Sequence, residues 1–238
     1  MTDNYLFDVD GTLTEPRKKM SGDFTFFFVN WMRGKKIFLV AGSDLEKVHS
    51  QIPSSVIRRT KGIFCCMGNQ LWINETLVYN NEWKPPVGLL DFLLELRKSS
   101  DYPNKKSRWI ESRQGMINFS TAGRDSNAEE RKAYFKWDKE KSERLRLASV
   151  INKKFPNLEA CLGGEISLDI QPRGFNKSLA SKWVRENEEG RIFFIGDKTE
   201  KGGNDFAIAQ DIKINGDGEF YKTLSPVNTK LILDKLDF

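Results

Sequence analysis

Histidine is almost missing: the 238 residues contain one, His49. A metal site built from several imidazoles is therefore excluded, and a Ser-His-Asp triad would have to rest on that residue alone. His49 closes the stretch Asp44-Leu45-Glu46-Lys47-Val48-His49 and reads as a polar position on a helix. Cysteine is scarce as well. Cys65, Cys66 and Cys161 make neither a disulfide framework nor a zinc spacing. The neighbours Cys65 and Cys66 sit in a strand-like run, so they are expected to point to opposite faces as small buried thiols. A reducing cytoplasm is the expected compartment. Long apolar runs are absent too. The longest, such as 37–41 and 63–67, fall far short of the ~20 residues a membrane helix needs. The opening Met1-Thr2-Asp3-Asn4 has no basic region before an apolar stretch, so neither a signal peptide nor a membrane partner is expected.

What is present fits a soluble globular chain. It is 39% hydrophobic and 30% charged, and long enough to bury a real core. The net charge of +5 is spread over short clusters such as Arg17-Lys18-Lys19 and Lys153-Lys154. No interleaved aromatic residues accompany them, so nucleic acid is not an expected partner. Chemistry in this chain falls to carboxylates, lysine, arginine and a metal ion.

The organisation reads as core, insert, core. Tyr5-Leu6-Phe7-Asp8-Val9-Asp10 is a short apolar strand ending in two aspartates. A helix is expected at 21–33, a second strand at 37–41, a helix at 44–52 and a third strand at 62–67. Asn74-Glu75 reads as a two-residue hairpin turn between 70–73 and 76–79. Unalternating strands in β–α–β order predict a buried parallel sheet. Pro85-Pro86 marks a change, followed by a helix at 87–99 and an antiparallel hairpin around Gln114-Gly115. Ser126 and Glu129 form a capping-box pattern that opens a long helix to 154. Strands at 159–162 and 166–171 complete an α+β insert. From Lys177 the core pattern returns: a helix at 177–187, a strand at 191–195, a helix at 204–210, a strand at 212–214 and a closing helix after Ser225-Pro226. The expected domains are 1–80 with 174–238, and 81–173.

Asp8 and Asp10 stand at i and i+2 where a strand turns into a loop. Two carboxylates that close repel unless a cation lies between them. The pair points to a metal site with one carboxylate left as nucleophile, which is what phosphoryl transfer needs. In open α/β sheets the carboxyl ends of the strands gather at one crevice, so residues far apart in sequence can meet there.

Asp8-Val9-Asp10-Gly11-Thr12-Leu13-Thr14 resembles the first motif of the haloacid dehalogenase superfamily. Ser43 after the second strand, Lys177 at the return to the core and Asp197 after the next strand match further motifs in order. The loop Gly196-Asp197-Lys198-Thr199-Glu200-Lys201-Gly202-Gly203-Asn204-Asp205 resembles that of the eukaryotic-type phosphomannomutase family. So do Glu111-Ser112-Arg113-Gln114-Gly115-Met116-Ile117-Asn118, Gly123-Arg124, Glu129-Glu130-Arg131 and Gly163-Gly164-Glu165-Ile166-Ser167-Leu168-Asp169. The resemblance departs at Arg173-Gly174-Phe175-Asn176-Lys177, where the family usually has Asp-Gly-Trp-Asp-Lys. It departs again at Gly68-Asn69-Gln70, where Glu-Asn-Gly is usual.

The resemblance implies a haloacid-dehalogenase-like Rossmannoid α/β core with an inserted α+β cap. It implies Asp8 as phosphorylated nucleophile and Asp10 as general acid/base. Mg²⁺ would be held by the Asp8 and Asp197 side chains and the Asp10 carbonyl. Ser43 and Lys177 would hold the transferring phosphoryl group, with Asn204 supporting that site. Arg17, Arg113, Arg124 and Arg131 would clamp the distal phosphate, and Ser167 and Asp169 would bind the sugar. The implied activity is interconversion of mannose 6-phosphate and mannose 1-phosphate through a hexose bisphosphate activator, in a homodimer formed through the cap. A Mg²⁺-dependent sugar-phosphate phosphatase is the alternative on the same scaffold; the distal arginines favour the mutase. A non-catalytic binding protein is a third reading, opposed by the intact Asp8, Asp10, Lys177 and Asp197.

Overall fold

The computed structural model describes residues 2–236. They divide into two compact units, Met1–Asn81 with Gly174–Phe238, and Glu82–Arg173. The chain enters through β1 (Asn4–Phe7), α1 (Gly22–Trp31), β2 (Lys36–Val40), α2 (Leu45–Gln51), the short α3 (Ser54–Ile57) and β3 (Gly62–Cys65). The hairpin β4 (Gln70–Ile73) and β5 (Thr76–Asn80) follows. The second unit contains α4 (Leu89–Lys98), β6 (Ile110–Arg113), β7 (Met116–Phe119), α5 (Ala128–Lys141), α6 (Glu143–Lys154), β8 (Leu158–Gly163) and β9 (Ser167–Pro172). The chain returns through α7 (Ser178–Asn187), β10 (Ile192–Gly196), α8 (Phe206–Asn215), β11 (Gly218–Lys222) and α9 (Pro226–Leu236).

In the first unit one seven-stranded sheet runs in the order β11-β10-β1-β2-β3-β4-β5. The pairs from β11 to β3 are parallel, and β4 and β5 add antiparallel. β1 and β10 are buried along their whole length, which requires a layer on each face. Phe7 turns to one face and meets Phe28 of α1 edge to face, ring centroids 5.0 Å apart. Leu6 turns to the other, into a cluster with Ala180 and Val184 of α7 and Ile208 and Ile212 of α8. Ser21 caps α1 by accepting the Phe24 N–H, and Phe24, Phe28 and Trp31 bury the face that the i, i+4, i+7 spacing creates. The hairpin turn has positive φ at both Asn74 and Glu75, 49° and 62°, as a tight two-residue turn requires.

The second unit holds a four-stranded antiparallel sheet, β6-β7-β9-β8. Ile117, Phe119, Leu168 and Ile170 share one face and pack with Leu89 and Leu93 of α4 and Leu147 and Ile151 of α6. Alternation along each strand sends the intervening residues to the opposite face.

Four expectations need correction. The expected strand at 212–214 lies inside α8, and the last strand is β11. Ile208 and Ile212, four residues apart, bury one side of α8, which makes the apolar spacing helical. The expected long helix breaks at Ser142, whose φ of 51° ends α5 before α6 begins. The capping box is formed by Asn127 and Glu130, one residue later than expected, while the Ser126 hydroxyl donates to the Gly123 carbonyl. Cys65 and Cys66 do not face opposite ways. The backbone turns left-handed at Cys66, φ 51°, and both thiols enter one apolar cluster.

Candidate active site

Asp8 follows β1, Ser43 follows β2, and Asp197 follows β10, so all three stand at the carboxyl edge of neighbouring parallel strands. The Asp8 N–H still donates to the Ile195 carbonyl at 2.9 Å, which locks the residue to β10 beside Asp197. Gly11 has φ 89°, and a Cβ there would lie 2.4 Å from Asp197 Oδ2. A glycine is what lets the loop after Asp8 pass so close to that carboxylate.

Asp8 is buried, and its two oxygens have different partners. Lys177 Nζ donates to Oδ1 at 2.5 Å, and Thr12 Oγ1 donates to Oδ2 at 3.2 Å. Lys177 is wholly buried and also donates to Asp205 Oδ1 at 2.6 Å. Burial by itself would lower the Lys177 pKa; the carboxylates of Asp205 and Asp8 outweigh it and hold the ammonium charged. Asp205 takes its second hydrogen bond from the Lys198 N–H, at 3.0 Å on Oδ2. One ammonium thus serves two carboxylates, with Asp197 close by. Burial pushes the Asp8 carboxyl up to about 8 from its ordinary 3.8, against the pull of Lys177 and with a further push from Asp205 and Asp197. Burial also raises Asp197.

This surplus of negative charge fits a divalent cation. Oxygens of Asp8, Asp197 and Asp205 lie within 4.8 Å of one another. Asp197 Oδ1 is buried and has no hydrogen-bond partner among the described residues. Asp197 Oδ1 is unpartnered and Asp8 Oδ2 is held only by the Thr12 hydroxyl at 3.2 Å, whereas the two Asp205 oxygens are held at 2.6 and 3.0 Å by Lys177 and Lys198. A hard cation with oxygen ligands suits that donor set.

Asp10 accepts two hydrogen bonds on one oxygen: the Arg17 N–H and Gln51 Nε2, each 2.7 Å from Oδ1. Arg17 contributes this backbone group from a left-handed conformation, φ 65°, while the residue itself is exposed. The Ser43 carbonyl accepts the Cys66 N–H at 2.8 Å, which ties the loops after β2 and β3 together. Asn204 Nδ2 approaches the same place: a Cβ on Gly42 would lie 3.8 Å from it. His49 is an exposed residue of α2.

The remaining residues singled out by the sequence lie in the second unit. Glu111 of β6 gathers two arginines, with Arg113 Nε 2.6 Å from Oε1 and Arg124 Nη2 2.8 Å from Oε2. Partial burial would raise the Glu111 carboxyl; the two guanidiniums outweigh it and push it down to about 2. Arg131 is buried, and its Nε donates to the Ser126 carbonyl at 2.9 Å and its Nη2 to the Arg124 carbonyl at 3.2 Å. Strand register places Glu111 opposite Asn118, and Asn118 opposite Asp169. The three form a polar row on the sheet face away from Ile117 and Phe119. Asn118 Nδ2 donates to Asp169 Oδ1 at 2.6 Å and to Ser167 Oγ at 3.1 Å.

The eukaryotic phosphomannomutase family model matches residues 25–236. The chain belongs to that family. Phosphomannomutase 1 of Dictyostelium discoideum is 32% identical over 239 residues, 97% of this chain and 95% of the relative. The phosphomannomutase of Dendrobium officinale is 36% identical over 219 residues, 89% of this chain and 86% of the relative. Among solved structures, a haloacid dehalogenase-like hydrolase from Bacteroides thetaiotaomicron superposes with a TM-score of 0.61 at 12% identity. That match covers 99% of this chain and 100% of the other, and it shows the fold: a haloacid-dehalogenase-type α/β core. The chain is thus an enzyme of the phosphomannomutase family. No helix among its described residues is long and apolar enough to cross a membrane.

Several residues at the site escaped the sequence reading. Asp205 was visible in the Gly196–Asp205 loop, but its role depends on packing against Lys177, 28 residues earlier. Thr12 belongs to the first motif, yet its bond to Asp8 is a matter of loop shape. Gln51 carries no motif. Its only signal is an amide at a position that helical spacing puts among apolar residues.

Proposed function

We propose that the chain interconverts mannose 6-phosphate and mannose 1-phosphate through a phosphorylated Asp8 and a hexose bisphosphate. Family membership supports the reaction. The observation that carries the mutase step is the pair Arg113 and Arg124, drawn together by Glu111. Guanidinium forks donate to phosphate oxygens in pairs, and a mutase must grip the phosphate that is not reacting. In this reading Glu82–Arg173 is the substrate-binding cap, with Arg131 and the core residue Arg17 completing the clamp and Ser167 and Asp169 meeting the sugar. Asp8 attacks phosphorus. Asp10 gives a proton to the leaving oxygen and takes one from the incoming hydroxyl. Ser43 and Lys177 hold the phosphoryl oxygens in place, with Asn204 behind them. Mg²⁺ would be held by the Asp8 and Asp197 side chains and the Asp10 carbonyl, and would supply positive charge to those oxygens.

The test is incubation with mannose 1-phosphate, Mg²⁺ and a bisphosphate activator, following mannose 6-phosphate and free phosphate together. Mannose 6-phosphate is the expected main product; free phosphate in its place makes the enzyme a phosphatase and overturns the mutase step. Arg124→Ala and Arg131→Ala each remove charge-assisted hydrogen bonds of about 1.5–3 kcal/mol, which predicts a ten- to hundredfold fall in kcat/KM on sugar phosphates. Slow hydrolysis of an aryl phosphate, which has no second phosphate, is expected to survive both changes. An equal loss on both substrates would show that the arginines hold the unit together and nothing more.

The metal proposal makes a pH prediction of its own. The metal-free native state holds a proton on Asp8 up to about pH 8, whereas the unfolded chain loses it near 3.8. Between those values the native state binds more protons, so this group's contribution to stability falls as pH rises. Mg²⁺ competes with that proton. The rise in Tm on adding Mg²⁺ is therefore expected to be larger at about pH 8.5 than at about pH 6, by several degrees for a chain of this size. Differential scanning fluorimetry at the two pH values checks it, and an equal rise at both counts against Asp8 as a ligand.

A further inference from the structure

We propose that Gln51 is a positioning residue that aims Asp10 for proton transfer; the inference rests on the acid/base role given to Asp10 above. Gln51 is the last residue of α2 and is 3% exposed. Its Nε2 lies 2.7 Å from Asp10 Oδ1, 3.3 Å from Thr14 Oγ1 and 3.3 Å from the Lys18 carbonyl. Its own carbonyl accepts the Met20 N–H at 2.9 Å. An amide nitrogen has two hydrogens, and the shortest of the three contacts assigns one of them to the carboxylate. The other is shared between Thr14 and Lys18. One side chain therefore clasps the loop 10–20 at its start, middle and end.

The consequence for Asp10 is directional. Gln51 and the Arg17 N–H both reach Oδ1, so the plane of the carboxyl group is set by two donors on one side. Oδ2 accepts no hydrogen bond among the described residues, so it is the oxygen left open to a reacting group. The amide is neutral, so it orients the carboxyl group without adding a charge beside it. In the first half, an Asp8 oxygen bonds to phosphorus, the bond from phosphorus to the leaving oxygen breaks, and the proton on Asp10 Oδ2 passes to that oxygen. In the second, an incoming hydroxyl gives its proton to Asp10 as its oxygen bonds to phosphorus and the Asp8–phosphorus bond breaks. α2 starts directly after Ser43-Asp44. One short helix thus spans from the serine loop to the acid/base contact.

The readout that separates aiming from mere structure is dependence on the leaving group. A phenol leaves poorly and needs the proton; a 4-nitrophenol leaves well and needs it little. With Mg²⁺ present, kcat/KM for release of the phenol covers the steps up to cleavage of the phosphorus–oxygen bond. Gln51→Met keeps the length and removes both donors. On phenyl phosphate kcat/KM is expected to fall by about ten- to a hundredfold, the order of a partly lost general acid, and on 4-nitrophenyl phosphate by about two- to threefold. Equal factors on the two substrates, or no fall on either, overturn the proposal. Should Gln51→Met fail to fold, Gln51→Glu, which preserves the side-chain length and the backbone bond to Met20, is read by the same ratio. Asp10→Asn is the control for the reading beneath. A leaving-group effect in Asp10→Asn with none in the Gln51 variant sinks the role of Gln51 alone. No effect in Asp10→Asn sinks the acid/base role of Asp10, and the proposal with it.

Discussion

Asp8→Asn is expected to abolish turnover, by more than a thousandfold, because an amide cannot form the acyl phosphate and a covalent route has no substitute for its nucleophile. The fold should survive. Burial already pushes the Asp8 carboxyl up to about 8, so near neutral pH without metal the side chain is largely uncharged. An asparagine has the same shape and the same lack of charge. The Tm of the metal-free variant should therefore stay close to that of the metal-free wild type, and the rise on adding Mg²⁺ should shrink. Steady-state assay and thermal melts of one preparation test both halves. Retention of more than about a thousandth of the activity removes Asp8 from the mechanism.

Lys177→Met is expected to fail on both counts. The ammonium is wholly buried and is shared by Asp8 Oδ1 and Asp205 Oδ1. Taking it away strands the buried Asp205 carboxylate, with Asp197 close by and no buried ammonium to balance them. Removing one partner of a buried ion pair costs about 3–5 kcal/mol, a large share of the stability of an ordinary domain. Activity should be lost as well, since the phosphoryl group loses its fixed cation. The double change Lys177→Met with Asp205→Asn removes one of the stranded charges. It should regain part of the stability and none of the activity. Urea melts of the single and double variants measure the coupling. If the single change were as stable as wild type, the ion pair would not be holding the loop after β10.

How much of this was readable beforehand follows from what each feature depends on. Asp8, Asp10, Ser43 and Asp197 each stand where an apolar run gives way to polar or glycine-bearing sequence, a boundary that local composition reveals. Lys177 marks the return of the core pattern for the same reason. The parallel sheet was legible because β1, β2 and β10 are apolar without alternation. What depends on register or on packing across the chain was not. Asn118 gains its importance from standing between Glu111 and Asp169 on adjacent strands, a relation set by hydrogen-bonded pairing. Asp205 and Gln51 act through partners far along the chain. Ile212-Lys213-Ile214 alternates like a strand when read alone, and only the burial of Ile208 with Ile212 shows the helix. The break at Ser142 lies in a charged run whose composition is uniform on either side of it.

The position of β1 in its sheet has a consequence for how the protein is made. Its neighbours are β2, a few dozen residues later, and β10, which comes only after the whole of Glu82–Arg173 has been synthesised. Later still, Thr229 of α9 donates to the Thr12 carbonyl at 2.8 Å, and Trp31 Nε1 donates to the Leu233 carbonyl at 3.2 Å. Asp8 therefore leaves the ribosome well before the residues that enclose it. Asp8 acquires its lysine, its neighbouring aspartates and the backing of its loop only after residues 82–173 and the elements that follow them have been made. A nascent chain that stops before Lys177 carries Asp8 and Asp10 without the lysine and carboxylates that surround them in the folded protein.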